Sequence, residues 1–98
     1  TASGAGQARA QIQRAAIAHA RHELRTAELA FARGVDLYSR VGAAPATSEW
    51  MLGGSIAAAM DGFELARQRY ANALTVASTD AQRAGAQQAL DRLPPGRQ

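Results

Sequence analysis

The chain has 98 residues, of which about a quarter are Ala, with no Cys, one Trp, two Phe and two Tyr. All eleven basic side chains are Arg, and the formal net charge is +3. The composition excludes disulfides, thiolate chemistry and Cys-ligated metals, and no apolar run reaches the roughly 20 residues that span a bilayer. So many small, helix-favouring side chains predict an all-α protein whose helices pack along their length.

The first predicted helix covers about residues 7–41, which contain no Pro and a single Gly. Apolar or small residues recur there at steps of three and four after a first step of seven, which is the coiled-coil period. They are Ala10, Ile17, Ala20, Leu24, Ala27, Phe31, Val35 and Tyr38. Such a helix would be about 50 Å long, so it needs a partner along one side. Residues 1–6 before it are small and Gly-rich, and are predicted to be disordered.

The second predicted helix covers about residues 48–78, after a stop at Gly42 and Pro45. Thr47 or Ser48 is expected to cap it, with Glu49 in the first turn. Its stripe has the same period and a similar length, so the two helices should form one long antiparallel hairpin. The stripe consists of Leu52, Ile56, Ala59, Phe63, Ala66, Tyr70, Ala73 and Ala77.

Asp61-Gly62 is the weak point of this second helix, because Asp-Gly commonly forms a tight turn. The stripe crosses these residues without losing register, which favours one continuous helix. If the chain does turn there, the second helix becomes two short ones. Gly53 and Gly54 also weaken the helix, unless they let another backbone come close.

A third, shorter helix is predicted over about residues 80–93, after capping residues Ser78 to Asp80. Its apolar side should fold back on the hairpin, since so short a helix is marginal alone. Residues 94–98 are predicted to be a disordered tail. The whole chain, 1–98, is thus expected to form a single helical domain.

If the chain turns at Asp61-Gly62, residues 47–80 resemble a tetratricopeptide repeat. The residues at the family's offsets are Trp50, Gly54, Ala66, Tyr70 and Ala73, whereas Gly53, Ala57 and Ser78 replace the family's Leu, Tyr and Pro. The equivalent window one repeat period earlier keeps only Ala32. The resemblance implies a concave peptide-binding groove and a longer parent protein.

The chain is also similar to the WXG-type secreted proteins, which are Cys-free helical hairpins of about this length with a Trp-x-Gly turn near the middle. Here Trp50 lies near the midpoint, and the first glycine after it, Gly53, comes one residue late. The family's Tyr-x-x-x-Asp/Glu secretion signal is absent, because Leu74 stands four residues after Tyr70. This resemblance implies export as a hairpin pair.

His19, His22 and Glu23 form the one cluster with a metal-binding pattern. The two His are three apart and no third His exists to complete a site, so a solvated surface is the simpler interpretation. Arg14, Arg21 and Arg25 lie in a narrow sector of the first helix. They could contact an acidic partner or phosphate, although a solvated face is the commoner reason for such a cluster.

The sequence therefore predicts a non-enzymatic protein–protein interaction module that associates with a second copy or with another helical protein. We expect no cofactor and no metal. We also expect no nucleic-acid partner, because no face or tail concentrates positive charge. The chain begins with Thr1, as a processed or excised piece would, and both a cytoplasmic and an exported protein fit. The predicted partner-binding residues are Trp50, Met51, Leu52, Gly53, Gly54, Phe63, Tyr70, Arg14, Arg21 and Arg25.

Overall fold

The computed structural model describes residues 3–95, and every regular element within this range is an α-helix. The all-α class predicted from composition is therefore confirmed. The helices are α1 (Gly4–Ala20), α2 (Leu24–Arg40), α3 (Thr47–Ala59), α4 (Phe63–Val76) and α5 (Asp80–Arg92). The chain divides between Pro45 and Ala46 into two compact units. Unit 1 contains α1 and α2, and unit 2 contains α3, α4 and α5, where the sequence analysis predicts one domain.

The continuous helix predicted for residues 7–41 is wrong, because the chain turns between α1 and α2. His22 has a φ of +60°, in the left-handed region. Its N–H donates to the His19 carbonyl at 3.0 Å, and the Glu23 N–H donates to the Ala18 carbonyl at 2.8 Å. This Schellman pattern closes the end of α1. The turn contains no Gly or Pro, but His is one of the residues enriched at positive φ.

The continuous helix predicted for residues 48–78 is also wrong, for the same structural reason. Asp61 has a φ of +61°, and the Gly62 N–H donates to the Ala57 carbonyl at 2.8 Å. The structure thus shows the alternative, a turn at Asp61-Gly62, and α3 and α4 are separate helices. The cap of α3 is also corrected: Ala46 precedes the helix, and its N–H donates to the Glu49 carboxylate at 2.8 Å.

Unit 1 is an antiparallel pair of helices with a close backbone approach. On α2, Ala27, Phe31 and Tyr38 are buried as predicted, together with Gly34. A Cβ added to Gly34 would lie 2.6 Å from Ile12 Cδ1 and 3.1 Å from the Ala8 carbonyl oxygen. Only glycine therefore fits this contact between the two helices without displacing a neighbour.

The buried face of α1 differs from the predicted stripe. The buried residues are Ala8, Ile12, Ala15 and Ala18, whereas the predicted Ala10, Ile17 and Ala20 are exposed. A turn of three non-helical residues separates the two helices, so the stripe of α2 does not continue in register onto α1. The error in the predicted face follows from the missed turn.

Unit 2 places α4 against both α3 and α5. Its core contains Ala57, Ala66 and Tyr70, and partly buried side chains surround these three residues. The surrounding side chains are Met51, Ala58, Ala89, Leu90 and Leu93. The helix α5 ends one residue before the predicted limit of 80–93, and its apolar side folds back within unit 2.

Local hydrogen bonds fix the helix ends. The Ser3 hydroxyl accepts from the Gly6 N–H at 3.0 Å, so α1 already includes Gly4 to Gly6, which the sequence analysis assigned to a disordered lead-in. The Thr79 hydroxyl accepts from the Gln82 N–H at 3.1 Å and begins α5. After α5, the Pro94 carbonyl accepts from Arg67 Nη2 at 2.7 Å. Residues 1–2 and 96–98, where the predicted disordered ends also fall, lie outside the described residues.

The two hairpins, α1–α2 and α3–α4, repeat one another at one constant sequence offset, which we call the hairpin repeat. The offset is thirty-nine residues. It separates Ala20 from Ala59, the last residues of α1 and α3, and Leu24 from Phe63, the first residues of α2 and α4. The turn residues with positive φ, His22 and Asp61, obey the same offset. So do six pairs of buried residues: Ala8 and Thr47, Ala15 and Gly54, Ala18 and Ala57, Ala27 and Ala66, Phe31 and Tyr70, Gly34 and Ala73.

Candidate binding surface

The predicted binding residues around Trp50 lie inside α3. Trp50, Met51 and Leu52 are half-buried, and Gly53 and Gly54 are buried. Met51 packs against the core of unit 2. The structure therefore places the Trp-Met-Leu run, predicted to bind a partner, in a packed helix.

Gly54 and Tyr70, two further predicted residues, are brought into direct contact. A Cβ added to Gly54 would lie 2.5 Å from Tyr70 Cδ1 and 2.8 Å from Cζ, so the ring packs on the bare backbone of α3. The Tyr70 hydroxyl lies 3.2 Å from the Ser55 hydroxyl, within hydrogen-bonding distance. Phe63 is half-buried at the first position of α4.

Two buried polar side chains that sequence reasoning missed also join α3 to α4. Arg69 is 7% exposed, and its Nη1 donates to the Gly53 carbonyl at 3.0 Å. The Thr47 hydroxyl donates to the Ala73 carbonyl at 3.3 Å. Within the described residues, no buried side-chain nitrogen or oxygen lacks a hydrogen-bond partner. These groups are satisfied within unit 2 and serve packing.

An open cleft of about 220 Å³ lies on unit 1, and we call it the basic cleft. It is lined by Gln11, Arg14, Thr26, Leu29, Ala30 and Arg33. Arg14 comes from α1 and Arg33 from α2, so each helix supplies one guanidinium. Leu29, which lines the same cleft, is 67% exposed, although it is a large aliphatic residue. The cleft thus combines positive charge with an uncovered apolar surface.

The turn at His22 brings the residues of the basic cleft together. Residues that are equally distant from the turn lie at the same level of an antiparallel pair. Gln11 and Arg33 are each eleven residues from His22, and Arg14 and Ala30 are each eight away. Leu29 and Arg33 were missed because a continuous helix separates them from Arg14 by several turns. Once the turn at His22 is known, this symmetry places Arg33 level with Gln11 and Ala30 level with Arg14.

Of the three predicted arginines, only Arg14 lines the basic cleft. Arg21 follows the last residue of α1, and Arg25 stands in the first turn of α2. Both are exposed. The ion pairs Asp36–Arg40 at 2.9 Å, Glu64–Arg67 at 3.3 Å and Asp80–Arg83 use other arginines.

The net charge is unevenly divided between the two units. Unit 1 has six Arg against three acidic residues, a net charge of +3, and unit 2 has five Arg against five acidic residues. Comparison of the net charges of residues 1–49 and 50–98 conceals this difference, because the first of these halves includes Glu49, which belongs to unit 2. The entire formal excess of positive charge therefore belongs to the unit that carries the basic cleft.

The His-containing cluster lies at the turn between α1 and α2. His22 occupies the turn, and His19 is half-buried in the last turn of α1. Within residues 3–95, no group of three or more His, Cys, Asp or Glu side chains is arranged to hold a metal ion. The same part of the chain contains no helix that combines the length and apolarity needed to cross a bilayer.

Comparisons of the chain with protein-family models, curated proteins and solved structures find no match.

Proposed function

We propose that this chain is a non-enzymatic protein–protein interaction module built from tetratricopeptide-like helical hairpins. The observation that carries this proposal is the hairpin repeat between unit 1 and unit 2. It relates helix ends, turn residues and buried positions. Proteins built from stacked helical pairs commonly serve as binding scaffolds, because stacking leaves extended surfaces for partners.

The packing of unit 2 supports the resemblance to a tetratricopeptide repeat over residues 47–80. The tetratricopeptide pattern has a small residue on its first helix at the position of Gly54 and an aromatic residue on its second helix at the position of Tyr70. In this chain Gly54 and Tyr70 are in contact. Ala66 and Ala73, the small residues on either side of the aromatic, are both buried.

Unit 1 supports the same interpretation through a second, more divergent copy. Ala15, Ala27, Phe31 and Gly34 occupy the places of Gly54, Ala66, Tyr70 and Ala73, and all four are buried. Gln11 stands in the place of Trp50. The hairpin repeat is longer than the tetratricopeptide period because α2 and the segment after it are longer than their counterparts in unit 2. A search at the tetratricopeptide period therefore misses the copy.

The WXG-type alternative receives less support from the position of its diagnostic residues. Trp50 to Gly54 lie within α3, whereas that family places its Trp-x-Gly turn between two helices. A WXG-like protein would be found outside the cell as a pair of hairpins. Detection of such a pair in culture medium would favour this alternative over the proposed repeat module.

The interaction function can be tested by selecting peptides from a random display library on the immobilised chain. We expect enriched peptides to bind with micromolar affinity and to shift amide signals in a single contiguous surface of the folded protein. A heat-denatured sample provides the matched control. If no peptide is enriched on the folded chain above this control, the proposed function is wrong.

Self-association is a second candidate, and the exposed face of α4 favours it. Leu65 and Val76 are eleven residues apart, so they lie on the same side of α4, and they are 39% and 41% exposed. Unit 2 has no net charge to oppose contact between two copies. Sedimentation at micromolar concentration should then show a dimer that Leu65→Glu dissociates. A stable monomer would remove this candidate.

A further inference from the structure

The basic cleft of unit 1 is lined by an exposed leucine and two arginines. Leu29 has more than half of its surface in water, and covering such a side chain is favourable because it removes apolar surface from water. Guanidinium groups recognise carboxylates through paired, charge-assisted hydrogen bonds. A segment that contains one apolar side chain flanked by carboxylates would therefore satisfy both features of the cleft.

We propose that the basic cleft binds an acidic, leucine-containing segment of a partner protein. In this arrangement the apolar side chain of the partner covers Leu29 and Ala30, and its carboxylates pair with Arg14 and Arg33. The +3 charge of unit 1 increases the rate of encounter with such a segment. The proposal rests on the proposed interaction function and names the chemistry of the partner.

Two other occupants fit the cleft less well. A second copy that docked cleft to cleft would oppose Arg14 and Arg33 with the same residues of its partner, because a twofold interface pairs identical surfaces. Such like-charge contacts are unfavourable. Single-stranded nucleic acid usually binds where aromatic side chains stack on its bases, and the lining contains no aromatic residue.

The test uses the full chain and a fluorescein-labelled dodecamer peptide in which Leu recurs at every third position and Glu fills the others. Fluorescence anisotropy at about 0.15 M ionic strength, where charges more than about 8 Å apart are largely screened, measures its affinity. The control peptide has Gln in place of every Glu. The protein variants are Arg14→Glu, Arg33→Glu and Leu29→Ser, each in a side chain at the surface of its helix. Arg9→Glu is the matched control, since Arg9 is exposed on α1 and does not line the cleft.

We expect a Kd below about 1 mM for the acidic peptide and binding at least about tenfold weaker for the Gln peptide. Arg14→Glu and Arg33→Glu should each weaken binding by about tenfold or more, and Leu29→Ser by about threefold or more. Arg9→Glu should change it by less than about twofold, because Arg9 does not line the cleft and charges outside the cleft are largely screened at this ionic strength. Circular dichroism should show unchanged helicity in every variant.

Four results would overturn this proposal. The Gln peptide could bind as tightly as the acidic one, or Arg9→Glu could weaken binding as much as Arg14→Glu does. A single-stranded oligonucleotide could also displace the peptide from the cleft with higher affinity. Peptides selected from the display library that bind the chain equally well after Arg14→Glu and Arg33→Glu would refute the cleft and leave the interaction function intact.

Discussion

Two helical glycines of unit 2 differ in how closely other residues pack against them. Gly54 lies against the Tyr70 ring, where an added Cβ would come within 2.5 Å of Cδ1, whereas nothing lies within 4 Å of a Cβ at Gly85. The tight contact explains why a residue that weakens helices is tolerated in α3. Gly85, half-buried in α5, has no such contact to compensate for its weak helix propensity.

We therefore expect Gly54→Ala and Gly85→Ala to change stability in opposite directions. Gly54→Ala should lower the free energy of unfolding by about 1–2 kcal/mol, because overpacking against Tyr70 outweighs the gain in helix propensity. Gly85→Ala should raise it by about 0.5–1 kcal/mol. Urea unfolding followed by circular dichroism measures both. A stabilised Gly54→Ala variant would show that the ring does not pack on α3.

At the scale of whole helices, the ends were harder to predict than the helical class. Composition and periodicity were sufficient to predict helices, and Gly42, with a φ of +69°, ends α2 near the predicted position. His22 and Asp61 adopt the same backbone region without being glycine. The turn at His22 contains neither Gly nor Pro and gives no strong local signal. Asp61-Gly62 did indicate a possible turn, but the apparently continuous stripe favoured one long helix.

Substitutions at two helix-ending residues, His22→Gly and Gly42→Ala, should change the free energy of unfolding in opposite directions. His22→Gly should raise the free energy of unfolding by about 0.5–1 kcal/mol, because a left-handed conformation is unfavourable for residues with a Cβ. Gly42→Ala should lower it by about 1 kcal/mol for the same reason. Chemical denaturation of the full chain checks both values. Destabilisation by His22→Gly would mean that the turn is elsewhere.

For the whole molecule, the positions of two turns decide most of the tertiary structure and the candidate site. Arg14 could be singled out from sequence as a member of a basic cluster. Leu29 and Arg33 could not, because their proximity to Arg14 depends on the reversal of the chain at His22. The division of charge between unit 1 and unit 2 likewise depends on a boundary after Pro45, which periodicity did not reveal.

The same dependence applies to the hairpin repeat. The correspondence becomes visible once helix ends and buried positions are known, since few residue types are shared between the two copies. Phe31 corresponds to Tyr70, and Gly34 to Ala73, as residues of similar role and different identity. Buried positions and backbone conformation are preserved between the hairpins where side-chain identity is not.

Nuclear Overhauser contacts between the Ile12 δ1 methyl group and the α protons of Gly34 test the hairpin of unit 1 directly. In the folded chain these groups are neighbours, because a Cβ at Gly34 would lie 2.6 Å from Ile12 Cδ1, so we predict strong cross-peaks. In a continuous helix over residues 7–41, the same two residues would be about 33 Å apart. Absence of the cross-peaks from a spectrum that resolves both signals would contradict the hairpin, and with it the hairpin repeat and the basic cleft.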